Sequence, residues 1–457
     1  MRRRSYLLAV LLLAAPPLAA QPASGERRVN STQTGSQVNP RIAAGGDGFV
    51  IVWRGPGAGS DDVFWRTVNV VSSVSPDPDF RVNGYVTGGQ GAPDVASLPN
   101  YGWVVVWQGA GPGAATGIFG QRYSSNGNPA GASFDVSVSV DAGAGSPSVA
   151  SRPDGSFVVA WQEYVALPRT WVLARRFSAA GSPVGSVFAV TDPVTASQSR
   201  PSVAAWPGGF VVVWTADGYA TDDARGVFER RFYEDGSPAA GVFHVNMHTT
   251  GNQDTPSVGG KGDGTFVVTW QSTTQDGDGS AIRARHYAAG GLPSSEFGVN
   301  TYATADQTAP RIAVDANGGY MIVWNSAGQD GDFYGIYAQR FDELGHRLGG
   351  EFAVNVATAG SQALPAVAAS VTNHYHMVAW EGPDADTYGI YVRSYCLKGD
   401  ANGDATVDIA DVFYIINDLF AGGPISNCSD VNEDGMTDIA DVFYLINYLF
   451  ASGPAPF

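Results

Sequence analysis

The residues best placed for chemistry lie near the C-terminus. Asp400, Asn402, Asp404, Asp408 and Asp411 stand at positions 1, 3, 5, 9 and 12 of one stretch, and Asp430, Asn432, Asp434, Asp438 and Asp441 hold the same positions thirty residues on. Oxygen donors at that spacing suit a hard cation. Calcium takes about 6–8 oxygens at ~2.3–2.6 Å, and a twelve-residue loop can encircle it with side chains at 1, 3, 5 and 12 and a backbone carbonyl at 7. The carbonyls would be those of Thr406 and Met436, with Asp408 and Asp438 binding directly or through water. The spacing predicts two Ca2+ ions.

A merely solvated acidic tail has no apolar periodicity. Here each loop runs straight into an apolar stretch, DVFYIINDLF from Asp411 and DVFYLINYLF from Asp441. Val412, Phe413, Ile415, Ile416, Leu419 and Phe420 follow the spacing of one helix face, Asp408 can cap the first turn, and the glycines after Ala421 can end the helix. Two such halves can bury their helices against each other. The duplicated loop and helix, with GDANGD and DVNEDG opening the loops and Asp411 and Asp441 closing them, resembles the type I dockerin family from about Gly399 to Pro454. That resemblance implies a small all-α, EF-hand-like calcium module. It also implies a cohesin-like partner on a scaffold or cell-surface protein, in the setting of extracellular polysaccharide degradation. In that family positions 10 and 11 of the loop carry partner choice, which implies partner-binding roles for Ile409, Ala410, Ile439 and Ala440, apolar here rather than Ser-Thr-like.

The rest of the chain is a repeat. An apolar run ends in tryptophan seven times, at Trp53, Trp107, Trp161, Trp214, Trp270, Trp324 and Trp380, spaced by 53 to 56 residues. A proline opens each unit, from Pro40 to Pro365, in the same frame. Within a unit, four short runs of strand character are separated by Gly, Pro, Asn and Asp clusters, the signature of a four-stranded antiparallel meander. Seven such units predict an all-β, seven-bladed propeller over residues 26–396. The seventh unit stops at Cys396 without its fourth strand. The orphan ERRVNSTQTGSQVNP from Glu26 matches EFAVNVATAGSQALP from Glu351, so the N-terminal segment is expected to close the last blade.

Composition sets the surroundings. Residues 1–20, with Arg2, Arg3 and Arg4 before an apolar run, read as a secretory signal peptide cut near Ala20. No stretch is long enough for a membrane span, and a net charge of −17 argues against nucleic acid. Residues 397–457 form the calcium module and hold ten acids against one lysine. The only cysteines, Cys396 and Cys428, stand just ahead of the two loops. Export predicts a disulfide between them, two buried thiols being the other reading.

Chemistry inside the propeller is sparse. Among the inner strands RIAA, DVAS, SVAS, SVAA, SVGG, RIAV and AVAA, only Asp94 is acidic, while a propeller glycosidase needs paired carboxylates. Asp276, Asp278, Asp330 and Asp332 read as turn formers before calcium ligands. His374 and His376 lack a visible third metal ligand. No catalytic residue is assigned. The expectation is a secreted, calcium-binding modular protein. Its propeller binds a carbohydrate or protein ligand or serves as a scaffold, and its tail attaches it to a partner. The rivals are a propeller-type glycoside hydrolase or lyase delivered by the tail, and a tail that is purely a structural clamp.

Overall fold

The computed structural model describes residues 20–22, 25–45, 48–57, 59–69, 78–111, 114–137, 143–166, 169–191, 196–218, 222, 224–370, 375–385, 387–397, 399–402, 407–421, 428–432, 437–451 and 453. Seven antiparallel sheets follow one another along the chain. Their innermost strands are Val38–Gly45, Gln90–Ser97, Ala144–Ser151, Gln198–Trp206, Gln253–Gly260, Gln307–Val314 and Ala363–Ala369, defining blades 1 to 7. Each inner strand packs on the next and the seventh packs on the first, so the sheets ring a central channel as a seven-bladed β-propeller.

The second strands explain why the ring is stable. FVIVW and its six counterparts are apolar at nearly every position, Thr269 and His376 being departures, because both faces of a blade are covered by neighbours. The recurring tryptophans are at most 3% exposed. Each packs between blades: Trp214 of blade 4, for instance, shares a cluster with Val158, Ala160 and Val172 of blade 3.

The ring closes as the repeat frame predicts. Blade 7 contains Ala363–Ala369, His376–Pro383 and Tyr388–Leu397, and its outer strand is Arg27–Arg28, with Arg27 opposite Val392 and Arg28 opposite Tyr391. Val29 is fully buried beside this strand. Ala20–Pro22, where the signal peptide was expected to end, lies along Tyr395–Leu397 as one more short strand. Residues 1–19 lie outside the described residues.

One asparagine recurs at the outer edge. The Oδ1 atoms of Asn83, Asn246, Asn300, Asn355 and Asn30 accept the N–H groups of Val63, Val227, Ile282, Ile336 and Ile390 at 2.7–2.9 Å. Each thus continues the ladder where the outer strand is too short to do so. The loop acids hold these asparagines in place: Asn300 donates to Asp276 at 2.9 Å and Asn355 to Asp330 at 3.1 Å. Asp278 and Asp332 accept the N–H groups of Ala305 and Gly360. All four acids serve loop structure, as turn formers do. His376 is buried in its strand, and His374 lies outside the described residues.

After blade 7 come two helices, Ile409–Ala421 and Ile439–Ala451, packed on each other through Val412, Ile415, Val442 and Leu445. No helix among the described residues is long and apolar enough to cross a membrane. The chain leaves the last strand through Gly399, whose φ of +85° a side chain would strain. Cys396 and Cys428 are joined in a disulfide, with Cα atoms 6.3 Å apart. Cys428 also packs into the apolar cluster of blades 7 and 1, so the module sits against the propeller.

Candidate functional sites

Two regions hold side chains in excess of what the fold requires. The first is the helix pair. Asp411 and Asp441, closing the two loops, are fully buried. The Asp411 carboxylate accepts the N–H groups of Asn402 at 3.0 Å and Asp408 at 2.9 Å. Asp441 accepts those of Val431, Asn432 and Asp438 at 2.6, 3.0 and 2.8 Å. The described ends of each loop are therefore tied to its last acid. Asp408 and Asp438 cap the helices, taking the N–H groups of Ala410 and Ala440 at 2.7 and 2.6 Å.

Of the expected calcium donors, Asp400, Asn402, Asp408 and Asp411 of the first loop and Asp430, Asn432, Asp438 and Asp441 of the second are described. Asp404, Thr406, Asp434 and Met436 lie outside the described residues. Burial pushes the Asp441 carboxyl upward, and the negative charge of Asp430 adds to that push. Among the described residues alone, no group of three His, Cys, Asp or Glu could hold a metal.

The helix surfaces depart from the sequence reading. Phe413 and Phe420 were expected on the buried face with Val412 and Ile415, yet they are 64% and 71% exposed. Phe443 and Phe450 match them at 64% and 67%. Ile409 and Ile439, at the loop positions assigned to partner binding, are exposed beside them, as are Ala410 and Ala440. The buried stripe, Val412 and Ile415 on one helix and Val442 and Leu445 on the other, is narrower than the apolar one.

The second region is the channel. Ahead of each repeat proline stands a residue in the left-handed region: Asn39, Ala92, Ser146, Arg200, Thr255, Ala309 and Leu364, with φ between 44° and 57°. Each marks a β-bulge that shifts the register of its inner strand. A bulge re-aims the side chains that follow it. The residue after each proline, Arg41, Asp94, Ser148, Ser202, Ser257, Arg311 and Ala366 in blade order, lines a cavity of about 500 Å3.

These seven positions divide by task. Asp94 accepts the N–H of Val149 at 2.8 Å, Ser148 that of Val203 at 3.2 Å and Ser202 that of Val258 at 3.2 Å, so each ties its blade to the next. Arginine has no acceptor atom and cannot do this. Arg41 lies 3.9 Å from Asp94, and its Nη1 donates to the Pro40 carbonyl at 2.8 Å. The Nη1 of Arg311 donates to the Pro310 carbonyl at 2.8 Å. Arg200 pairs with Asp254, as does Arg225. Burial lowers the proton affinity of Arg311, to about 9, and the facing Arg41 adds to it. Desolvation also lifts Asp94, against the pull of Arg41.

Glu381 is the other acid close to Arg41, and burial raises it as well. Its carboxylate accepts the N–H of Asn39 at 2.9 Å. Gln162 and Gln271, also one residue past their tryptophans, do the same for Arg200 and Ala309. Glu381 thus fills a repeat position with a structural task.

No protein-family model matches the chain, and no curated protein does. Among solved structures, a protein of unknown function from Dyadobacter fermentans aligns over 83% of this chain and 99% of its own, at 10% identity and a TM-score of 0.51. An α-L-arabinanase from Penicillium chrysogenum, solved with arabinobiose, aligns over 66% of this chain and 92% of its own at 14% identity, TM-score 0.46. The α-L-arabinofuranosidase Arb93A of Fusarium graminearum aligns over 70% and 98% at 12% identity, TM-score 0.46. At these identities the likeness is one of blade architecture alone.

Proposed function

We propose that this is an exported, two-part binding protein: the propeller holds a ligand, and the calcium-loaded C-terminal module docks on a partner in the manner of a dockerin. The observation that carries the reading is the duplicated exposed stripe, Ile409, Phe413 and Phe420 on one helix and Ile439, Phe443 and Phe450 on the other. Large apolar side chains left in solvent twice, at equivalent places, mark an interaction surface rather than stray exposure. Two equivalent stripes offer a partner two orientations.

Calcium titration of the intact chain by calorimetry tests this. Two sites are expected, with Kd roughly between 10⁻⁷ and 10⁻⁴ M. A partner retained from the host's surface fraction should depend on calcium and be lost when Phe413→Asp and Phe443→Asp are combined. A chain that takes up no calcium, or capture indifferent to both changes, would overturn the reading.

One observation favours the hydrolase reading. Asp94 and Glu381 flank Arg41 and both are raised by burial, and paired acids with split roles are how glycosidases work. Against it, each acid already holds a backbone N–H across a blade boundary. Release of reducing ends from arabinan or pectin, abolished by Asp94→Asn, would establish it.

A further inference from the structure

We propose that the channel is a site for a small carboxylate-bearing ligand, a uronic acid or the acidic end of a saccharide, gripped between Arg311 and Arg41. The proposal rests on the reading of the propeller as the ligand-binding part and names what it binds.

Three observations carry it. First, Arg311 and Arg41 stand in blades 6 and 1, and blade 7 between them contributes only Ala366 at the equivalent place, leaving room between two guanidinium groups on one wall of the cavity. Second, both stand where Asp94, Ser148 and Ser202 accept a backbone N–H of the next blade, a hydrogen bond that arginine cannot accept. Third, the two guanidinium groups keep donors open: among the described residues Arg41 and Arg311 each donate a hydrogen bond to the carbonyl of the preceding proline and none to a carboxylate. Asp94, the acid that attracts both, is 3.9 Å from Arg41 and already accepts the N–H of Val149, and Glu381, close to Arg41, already accepts that of Asn39.

A carboxylate offers two coplanar oxygens that match the guanidinium fork. Asp94 and Glu381 stand close by, so a phosphate dianion would set one more negative charge beside them than a monoanion does. A cavity of about 500 Å3 admits a mono- or disaccharide. Ser148 and Ser202 each accept an N–H and keep their own protons for sugar hydroxyls.

The test is calorimetry on the full chain in calcium, with sodium glucuronate, digalacturonate, glucose and inorganic phosphate as probes. At least one of the two uronates should bind saturably, and at least tenfold more tightly than glucose or phosphate. Arg311→Gln should weaken that binding at least tenfold while the melting temperature holds or rises. Arg311→Lys, which keeps the charge but not the fork, should retain part of it. Equal binding of uronate and phosphate would mean an unselective anion site, and unchanged uronate binding in Arg311→Gln would place the ligand elsewhere; either overturns the proposal. Binding of neutral saccharides alone would also overturn it while leaving the propeller a binding module. Loss of calcium uptake with uronate binding intact would overturn the docking reading instead.

Discussion

The propeller and the C-terminal module are both built by repetition, and they use it in opposite ways. In the propeller the recurring residues are turned inward: the tryptophans and four of the five outer-edge asparagines are buried, and the hydrogen-bonding residues after the prolines are half-buried. Recurrence there is packing, and information lies in the departures, Arg41 and Arg311 among serines. In the module the recurring phenylalanines are exposed. Recurrence there serves a surface. Burial, rather than repetition as such, decides which reading a repeated residue deserves.

The largest expected effect tests the buried side of this comparison. Deleting residues 26–38 removes the outer strand of blade 7, the fully buried Val29 and the Asn30 side chain on Ile390. Lost burial and unmet hydrogen bonds sum to more than about 5 kcal/mol. Aggregation or a collapse of the melting temperature is expected; an unchanged, monomeric deletion variant would refute ring closure by this strand.

Glu229 sharpens the comparison as a buried departure. It stands where the other blades carry Trp65, Gly120, Ala174, Ala284, Ala338 and Val392. Burial raises its carboxyl to about 7 despite Arg231 at 3.4 Å. A folded-state value above the unfolded 4.5 means that the folded chain holds the proton longer. Stability therefore falls as pH rises from about 4.5 through about 7, by up to ~3 kcal/mol. Glu229→Ala should flatten that slope and be more stable than the parent at pH 8, as read by denaturant titration. An identical slope would show that the carboxylate is ionised at no cost.

Smaller again is the single recurring asparagine. Asn246→Ala leaves the buried N–H of Val227 and the side chain of Asp222 without this partner, and should cost about 1–3 kcal/mol in chemical denaturation. The smallest effect lies on the exposed side. Phe413→Ser with Phe443→Ser should move stability by less than about 0.5 kcal/mol each. Partner capture should nevertheless be lost. A large destabilisation would reveal those rings as packed against something in the folded chain.

The blades were legible because Pro and Trp recur in one frame, and the closing strand because its VNSTQTGSQ matches VNVATAGSQ. The bulges were not. The residue before proline is ordinarily extended, and Asn39, Ala92, Ser146, Arg200, Thr255, Ala309 and Leu364 share no side-chain type that signals a positive φ. The arginines were visible in RIAA and RIAV, but a search for paired acids passes over cations. That they share one cavity depends on which blades are neighbours across the closed ring. Phe413 and Phe420 misled because apolar spacing along a helix does not say which of its residues the chain itself buries.

The Cys396–Cys428 disulfide has a mechanical consequence. Cys396 ends the strand Tyr388–Leu397, alongside the finish of the blade 7 inner strand, whereas the cavity lies where the inner strands begin. A pull on the module thus enters the propeller at the face opposite the cavity. Without the bridge, tension on the second helix would travel back through the whole first loop and helix before reaching a blade. With it, tension passes from Cys428 straight into the last strand, and both halves hang from the same anchor. Load arriving on either helix then meets nearly equal compliance. Stretching single molecules from the C-terminus should show the first helix peeling early only after reduction.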